Sequence, residues 1–265
     1  MFRHPQDKLP VAAVAALTCL DFGVYLNVDH VGMLCAYWLL MVIPKGVISA
    51  WNHHHQHSFT FRSPWLNRAL EMSYAMHTGV TTHLWLLHHV LGHHVNYLDQ
   101  TKDESRWQRK DGTRMGVLEY TLVVSATAYP RSFQVGRRHP KLQRTFVAFG
   151  LLTVAIATAL VWYRPLPGLF VFVLPMVCTL MFTAWVTYDH HAGLLTDDPF
   201  QASYNIPNRW FNVLTGNLGY HTAHHYKQGV HWSQLPALHE TIKAKIPAQL
   251  YRKSTFDAAL TVLEE

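Results

Sequence analysis

The sequence is poor in charged residues and in cysteine. Asp, Glu, Lys and Arg make up 14% of its 265 residues, whereas soluble domains carry about 25%, which argues against an ordinary water-soluble protein. The three cysteines, Cys19, Cys35 and Cys178, lie in apolar stretches and form no CxxC pair. We therefore expect buried, reduced thiols and no disulfide framework. A basic face with interleaved aromatic residues is also lacking, so a nucleic-acid partner is not expected despite the net charge of +6.

Hydrophobic residues are abundant, at 49% of the chain, and they concentrate in four segments. The segments run from about Leu9 to Val28, Val31 to Ala50, Phe146 to Trp162, and Leu166 to Tyr188. Each is close to the roughly 20 residues that cross a bilayer as a helix. Short turns join the first segment to the second and the third to the fourth. The pattern predicts one all-α membrane domain over residues 1–265, with four transmembrane helices in two hairpins and a helical cap formed by residues 51–145 and 189–265.

The distribution of Lys and Arg predicts the orientation of this domain. The two short turns hold only Arg164, whereas nine basic residues lie between Arg106 and Arg144. Because basic loops stay in the cytoplasm, we expect both termini, the cap and any site within it to be cytoplasmic. Two ionisable residues fall inside apolar segments. We expect Lys45 to reach the interface and Asp21 to face a polar partner in the bundle.

Two amphipathic stretches lie between the predicted hairpins. They run from Trp65 to Met76 and from Met115 to Phe133. Their apolar faces suit the membrane surface or the cap, and ordinary helix-on-helix packing is an equal alternative. Residues 96–113 are polar and are predicted to form a loop.

Histidine is unusually frequent, with 20 residues against 16 Asp plus Glu. Most of the histidines fall in four clusters, at residues 53–57, 88–94, 190–191 and 221–225. All four clusters lie on the predicted cytoplasmic side, although the spans were assigned from hydrophobicity alone. Imidazole is a common ligand of zinc, copper, iron and nickel. The clusters therefore predict one shared metal site beneath the bilayer.

Helical spacing within the clusters indicates which rings share a face. His53 and His57 are four residues apart, so an α-helix directs both to one side. His89 and His93 have the same spacing, and the adjacent His94 points to another side. A helix of this kind can serve two metals. His221, His224 and His225 are likewise predicted to share one side of a helix, whereas His54, His88 and His190 are secondary candidates.

The number of candidate imidazoles exceeds what one ion needs. A structural zinc site has four ligands and favours cysteine, so two ions sharing the set is the simpler interpretation. Ligand softness alone allows iron, copper or zinc. The lipid setting, with no hydrolytic carboxylate evident, favours a redox metal.

The histidine boxes resemble those of the membrane fatty acid desaturase and alkane hydroxylase superfamily. That family carries a His-x3/4-His box, a His-x2/3-His-His box and a further His-x-x-His-His box near the C-terminus. The corresponding residues here are 53–57, 89–94 and 221–225. The Leu-Pro-Ala-Leu-His element at residues 235–239 is similar to one that follows the last box in desaturases.

The resemblance implies a stem of four transmembrane helices and a cytosolic cap that holds two iron ions. It also implies a further ligand from the end of the fourth span, for which we select His191 over His190. O2 would be the co-substrate. Electrons would come from a separate ferredoxin, rubredoxin or cytochrome-b5-like protein, since the chain has no cysteine or haem motif to supply them.

The reaction outcome has three alternatives within this resemblance. The second box, with Gly92, and the stretch Asp103 to Arg106 look like those of alkane hydroxylases, whereas the third box looks like that of desaturases. We expect desaturation of a fatty acyl or fatty acid chain, with hydroxylation of an alkyl chain or decarboxylation to a terminal alkene as the alternatives. A metal transporter, from a different class, would instead place histidines along the spans near the bilayer midplane.

Overall fold

The computed structural model describes residues 1–253, which are helical and contain no strand. The predicted segment 254–265 of the cap lies outside the described residues. Four helices are long and apolar enough to cross a membrane, and we call them the first to fourth spans: Pro5–Asn27, Val31–His57, Pro140–Tyr163 and Pro165–His191. The prediction of an all-α membrane protein with four spans is therefore confirmed. The second and fourth spans continue past their predicted ends, and this extension carries two of the histidine clusters.

Local sequence explains where the spans begin and end. The second span starts after His30, whose Nδ1 accepts a hydrogen bond from the amide of Met33 at 3.3 Å. The third span begins at Pro140, and the fourth begins at Pro165. Proline suits the first turn of a helix because the amide it lacks has no partner there.

The first amphipathic stretch forms the inner helix, Pro64–Thr78. It packs against all four spans, so of the alternatives for this stretch the structure shows ordinary helix-on-helix packing. The helix ends at Gly79, whose φ of 67° is in the left-handed region that glycine adopts readily. The inner helix carries buried polar residues, including Glu71 and His77, and these find partners on neighbouring elements.

A buried ion pair links the first two spans. Lys45 Nζ lies 2.8 Å from Asp21 Oδ2, and both side chains are at most 1% exposed. Lys45 also donates to the carbonyl of Val171, and Tyr37 donates to the other oxygen of Asp21 at 2.7 Å. His77 Nδ1 of the inner helix lies 3.1 Å from the same carboxylate. Asp21 thus has the expected polar partner, but Lys45 does not reach the interface because that carboxylate holds it inside the stem.

The second amphipathic stretch forms the helix Val117–Gly136, which packs one face on the fourth span and leaves Leu118 and Leu122 exposed. Residues 96–113 form turns, as predicted. The three cysteines are free, but they are not buried. Cys19 is exposed and the other two are half-buried, because these positions lie on the outer surfaces of the spans.

Candidate metal centre

Two groups of histidine side chains converge where the second and fourth spans end. The first group consists of His53, His57, His89, His94 and His224, and the second of His93, His191 and His225. Within each group, one ring nitrogen per residue lies within 4.8 Å of the others. His221 adjoins the second group, since its Nε2 is 3.0 Å from Nε2 of His191. The structure therefore brings all nine main candidates from the sequence into one place.

The first group draws on the second span, the second box and the third box. Nε2 of His53 lies 3.0 Å from Nε2 of His224, and Nε2 of His89 lies 3.0 Å from Nε2 of His94. Nε2 of His57 is buried and has no hydrogen-bond partner. One ring nitrogen from each of the five residues thus lies in the same small volume.

The second group lies directly beside the first. Nε2 of His93 is 3.3 Å from Nε2 of His191, and the rings of His94 and His225 stack across the two groups at 4.1 Å. The outer nitrogen of His191 donates to the carbonyl of Ala202 at 2.9 Å. That bond fixes the tautomer and leaves Nε2 free for the interior of the group.

The second histidine box is divided between the groups because it lies on a π-helix, Leu86–His93. The amide of His94 donates to the carbonyl of His89, five residues earlier, at 2.8 Å. Each turn of a π-helix holds more residues than an α-turn, so His89 pairs with His94 and His93 points to the other group. The rings of His89 and His93 still stack at 5.1 Å, so these two histidines share a face as predicted, although their nitrogens join different groups. Gly92 admits the side chain of Glu104, which would lie 2.6 Å from a Cβ at that position.

The third box is also divided. It lies on the short helix His221–Tyr226, where His224 belongs to the first group and His225 to the second. Adjacent residues on a helix point about 100° apart, so this short helix supplies both groups. The three rings are buried and lie within 5.7 Å of one another, so they share the side of the helix that faces the centre, as predicted.

The three secondary candidates belong to neither group. Nε2 of His54 donates to the carbonyl of Thr215 at 2.9 Å. His88 is buried, and neither of its ring nitrogens has a hydrogen-bond partner. His190 stacks on His221 at 4.0 Å and donates through Nδ1 to a backbone carbonyl. His191 belongs to the second group, whereas His190 contacts the centre through His221; the choice of His191 over His190 as a ligand stays a prediction.

The electrostatics of the grouped histidines favour neutral rings. Burial, and then repulsion from neighbouring imidazoles, hold the pKa values of His89, His94, His224 and His225 well below the ordinary range. The same causes lower the pKa of His221. Neutral imidazoles keep a lone pair for a metal ion. Nine imidazoles gathered in one place fit a pair of ions better than one tetrahedral ion.

An apolar cavity of about 210 Å³ lies between the second and fourth spans and reaches the histidines. Its walls include Ile43 and Phe182, and its inner end is formed by His53, His89 and His221. Sequence reasoning missed this cavity. The available signal was the run of small residues Gly46, Ser49 and Ala50, which share a helical face of the second span and line the cavity.

The fold and the site together define a helical integral membrane protein whose histidine cluster fits a metal site. A family model for fatty acid desaturases matches residues 30–256. The chain belongs to this fatty acid desaturase family, which implies an oxidoreductase that acts on lipid chains. No curated protein and no solved structure matches the chain.

Proposed function

We propose that this protein is a di-iron enzyme that uses O2 to oxidise an unactivated C–H bond of a fatty acyl or fatty acid chain, with desaturation as the outcome. The observation that carries the proposal is the apolar cavity between two spans that ends on His53 and His89 of the first group and on His221, which adjoins the second. A long alkyl chain is the substrate that such a cavity in a membrane protein suits.

The proposed ligands of one iron are the five histidines of the first group. Those of the other iron are His93, His191, His221 and His225. When bound, the two ions would supply the activation of O2 and the abstraction of hydrogen. The hydrogen bond from Nδ1 of His191 to the carbonyl of Ala202 fixes that ring in the tautomer that presents Nε2 to the ions.

The cavity walls would bind and orient the chain. Each buried methylene contributes about 0.8 kcal/mol, and the apolar lining keeps water from the reacting carbon. The rings of His53 and His89 form the inner end, so the methylene that rests there would be the one oxidised. Desaturation, hydroxylation and decarboxylation differ in how that carbon is placed, and product analysis separates them.

An external ferredoxin, rubredoxin or cytochrome-b5-like protein would supply electrons, and the metal centre and both termini would face the cytoplasm. The histidines lie at the ends of the spans and not along a path through the bilayer, which disfavours a metal transporter.

The test measures iron content and lipid products of the purified protein and of cells that express it. We expect His93→Ala and His225→Ala to lower the iron content and to abolish the oxidised product detected by mass spectrometry. The control His139→Ala, outside both groups, should retain both. Full iron retention in the two box variants would contradict the proposal, as would metal flux into proteoliposomes without any lipid product.

A further inference from the structure

Asp103 lies behind one histidine of the second group. Its Oδ1 is 2.8 Å from Nδ1 of His93, and the side chains are at most 2% exposed. The same oxygen accepts a hydrogen bond from the amide of Ser105 at 2.7 Å, and Arg106 donates to the backbone carbonyl of Asp103. Because Nδ1 of His93 donates to the carboxylate, Nε2 carries the lone pair and faces His191.

Because of this contact, the second group has a carboxylate partner among the described residues and the first has none. Among residues 1–253, His93 is the only one of the eight grouped histidines with a carboxylate within ion-pair distance, and His221 beside them has none either. Nδ1 of His191 instead donates to a neutral partner, the carbonyl of Ala202, at 2.9 Å. A carboxylate behind a ligating imidazole fixes the orientation of the ring and raises its basicity. The second group is therefore the more electron-rich of the two at His93.

We propose that Asp103 is a positioning residue that acts through His93 and makes the two metal positions chemically distinct. The inference rests on the proposed pair of irons. An anionic partner favours the more highly charged state of the metal, so the iron of the second group should be held more tightly, and be harder to reduce, with Asp103 than without it. The first group should not depend on this residue.

The test compares Asp103→Asn with wild type in the purified full-length protein loaded with ⁵⁷Fe. Asparagine keeps the size of the side chain and can still accept from the amide of Ser105, but it removes the negative charge. Mössbauer spectra and iron content after dialysis against a chelator are the readouts. Asp99→Asn is the matched control, because Asp99 lies on the same segment but pairs with Lys102 at the surface.

In wild type we expect two quadrupole doublets, one for each group. In Asp103→Asn one doublet should change while the other stays, and the affinity for that iron should fall about 10- to 100-fold. Asp103→Glu should restore the altered doublet at least partly, and Asp99→Asn should resemble wild type. The Asp103→Glu variant also keeps the test decisive if the asparagine variant folds poorly.

Three results would overturn the inference: unchanged spectra and iron content in Asp103→Asn, equal changes in both doublets, or no recovery in Asp103→Glu. Failure of the proposed function can be told apart from failure of the inference about Asp103. If wild-type protein binds two irons but oxidises no lipid, the proposed reaction is wrong while the spectra still decide the role of Asp103.

Discussion

Replacing Lys45 by methionine tests how the stem is held together. Lys45 Nζ lies 2.8 Å from Asp21 Oδ2, with the two side chains 0% and 1% exposed. Methionine preserves most of the length of the side chain but removes its charge. The carboxylate of Asp21 would then remain buried, with Tyr37 and His77 as its neighbours.

The cost of this change comes from the unpaired charge rather than from the lost hydrogen bond. A neutral hydrogen bond inside a membrane contributes about 0.6 kcal/mol on average, whereas leaving a buried charge without its partner costs about 3–5 kcal/mol. Since Tyr37 still donates to Asp21, we expect a loss of stability at the lower end of this range, about 3 kcal/mol. For a chain of this size, each kcal/mol of lost stability lowers the midpoint of thermal unfolding by about 2–4 °C. We therefore expect the midpoint of Lys45→Met to fall by about 6–12 °C.

The assay is a double-mutant cycle of thermal unfolding in detergent micelles with Lys45→Met, Asp21→Asn and the double variant. The double variant leaves no charge unpaired, so its free energy of unfolding should return to within about 1 kcal/mol of wild type. Wild-type stability of Lys45→Met, or purely additive losses in the double variant, would refute the reasoning.

Three further predictions concern other parts of the molecule. A Cβ on Gly46 would lie 2.8 Å from the ring of Phe182 beside the cavity, so Gly46→Leu should disfavour the longest substrates, by about fourfold in kcat/KM per excluded methylene, which is about 0.8 kcal/mol; an unchanged chain-length profile would contradict this. Burial lowers the pKa of His83 to about 4 from 6.5, so the unfolded state binds the proton more readily and stability is lost as the pH falls below 6.5, by about 1.4 kcal/mol per unit until pH 4. His83→Asn, which suits the φ of 63°, should remove that part of the slope in unfolding curves measured from pH 7 to 4, and an equal slope in both proteins would argue against it. An impermeant maleimide added to intact cells should label Asp29→Cys at a hairpin tip but not Lys227→Cys beside the metal centre, and the reverse pattern would invert the proposed orientation.

The sequence by itself determined the class of the fold and the identity of the candidate ligands. Runs of about 20 apolar residues form spanning helices whatever surrounds them, because a bilayer leaves the backbone no other way to satisfy its hydrogen bonds. The histidines were recognisable because their spacing repeats at helical intervals in separate clusters. The fatty acid desaturase family could be identified on the same residues.

Only the tertiary structure decided how those histidines divide between two groups. The second box lies on a π-helix, in which the amide of His94 bonds to the carbonyl of His89, whereas helical periodicity assumes an α-helix. Asp103 shows the same limit, since its role depends on the chain folding back to bring it against His93. Contacts between distant segments likewise decided the buried environment of Lys45, the packing of the inner helix and the presence of the cavity. Spacing along a chain reports the direction of neighbouring side chains, whereas a partner from another element is fixed only when the elements pack.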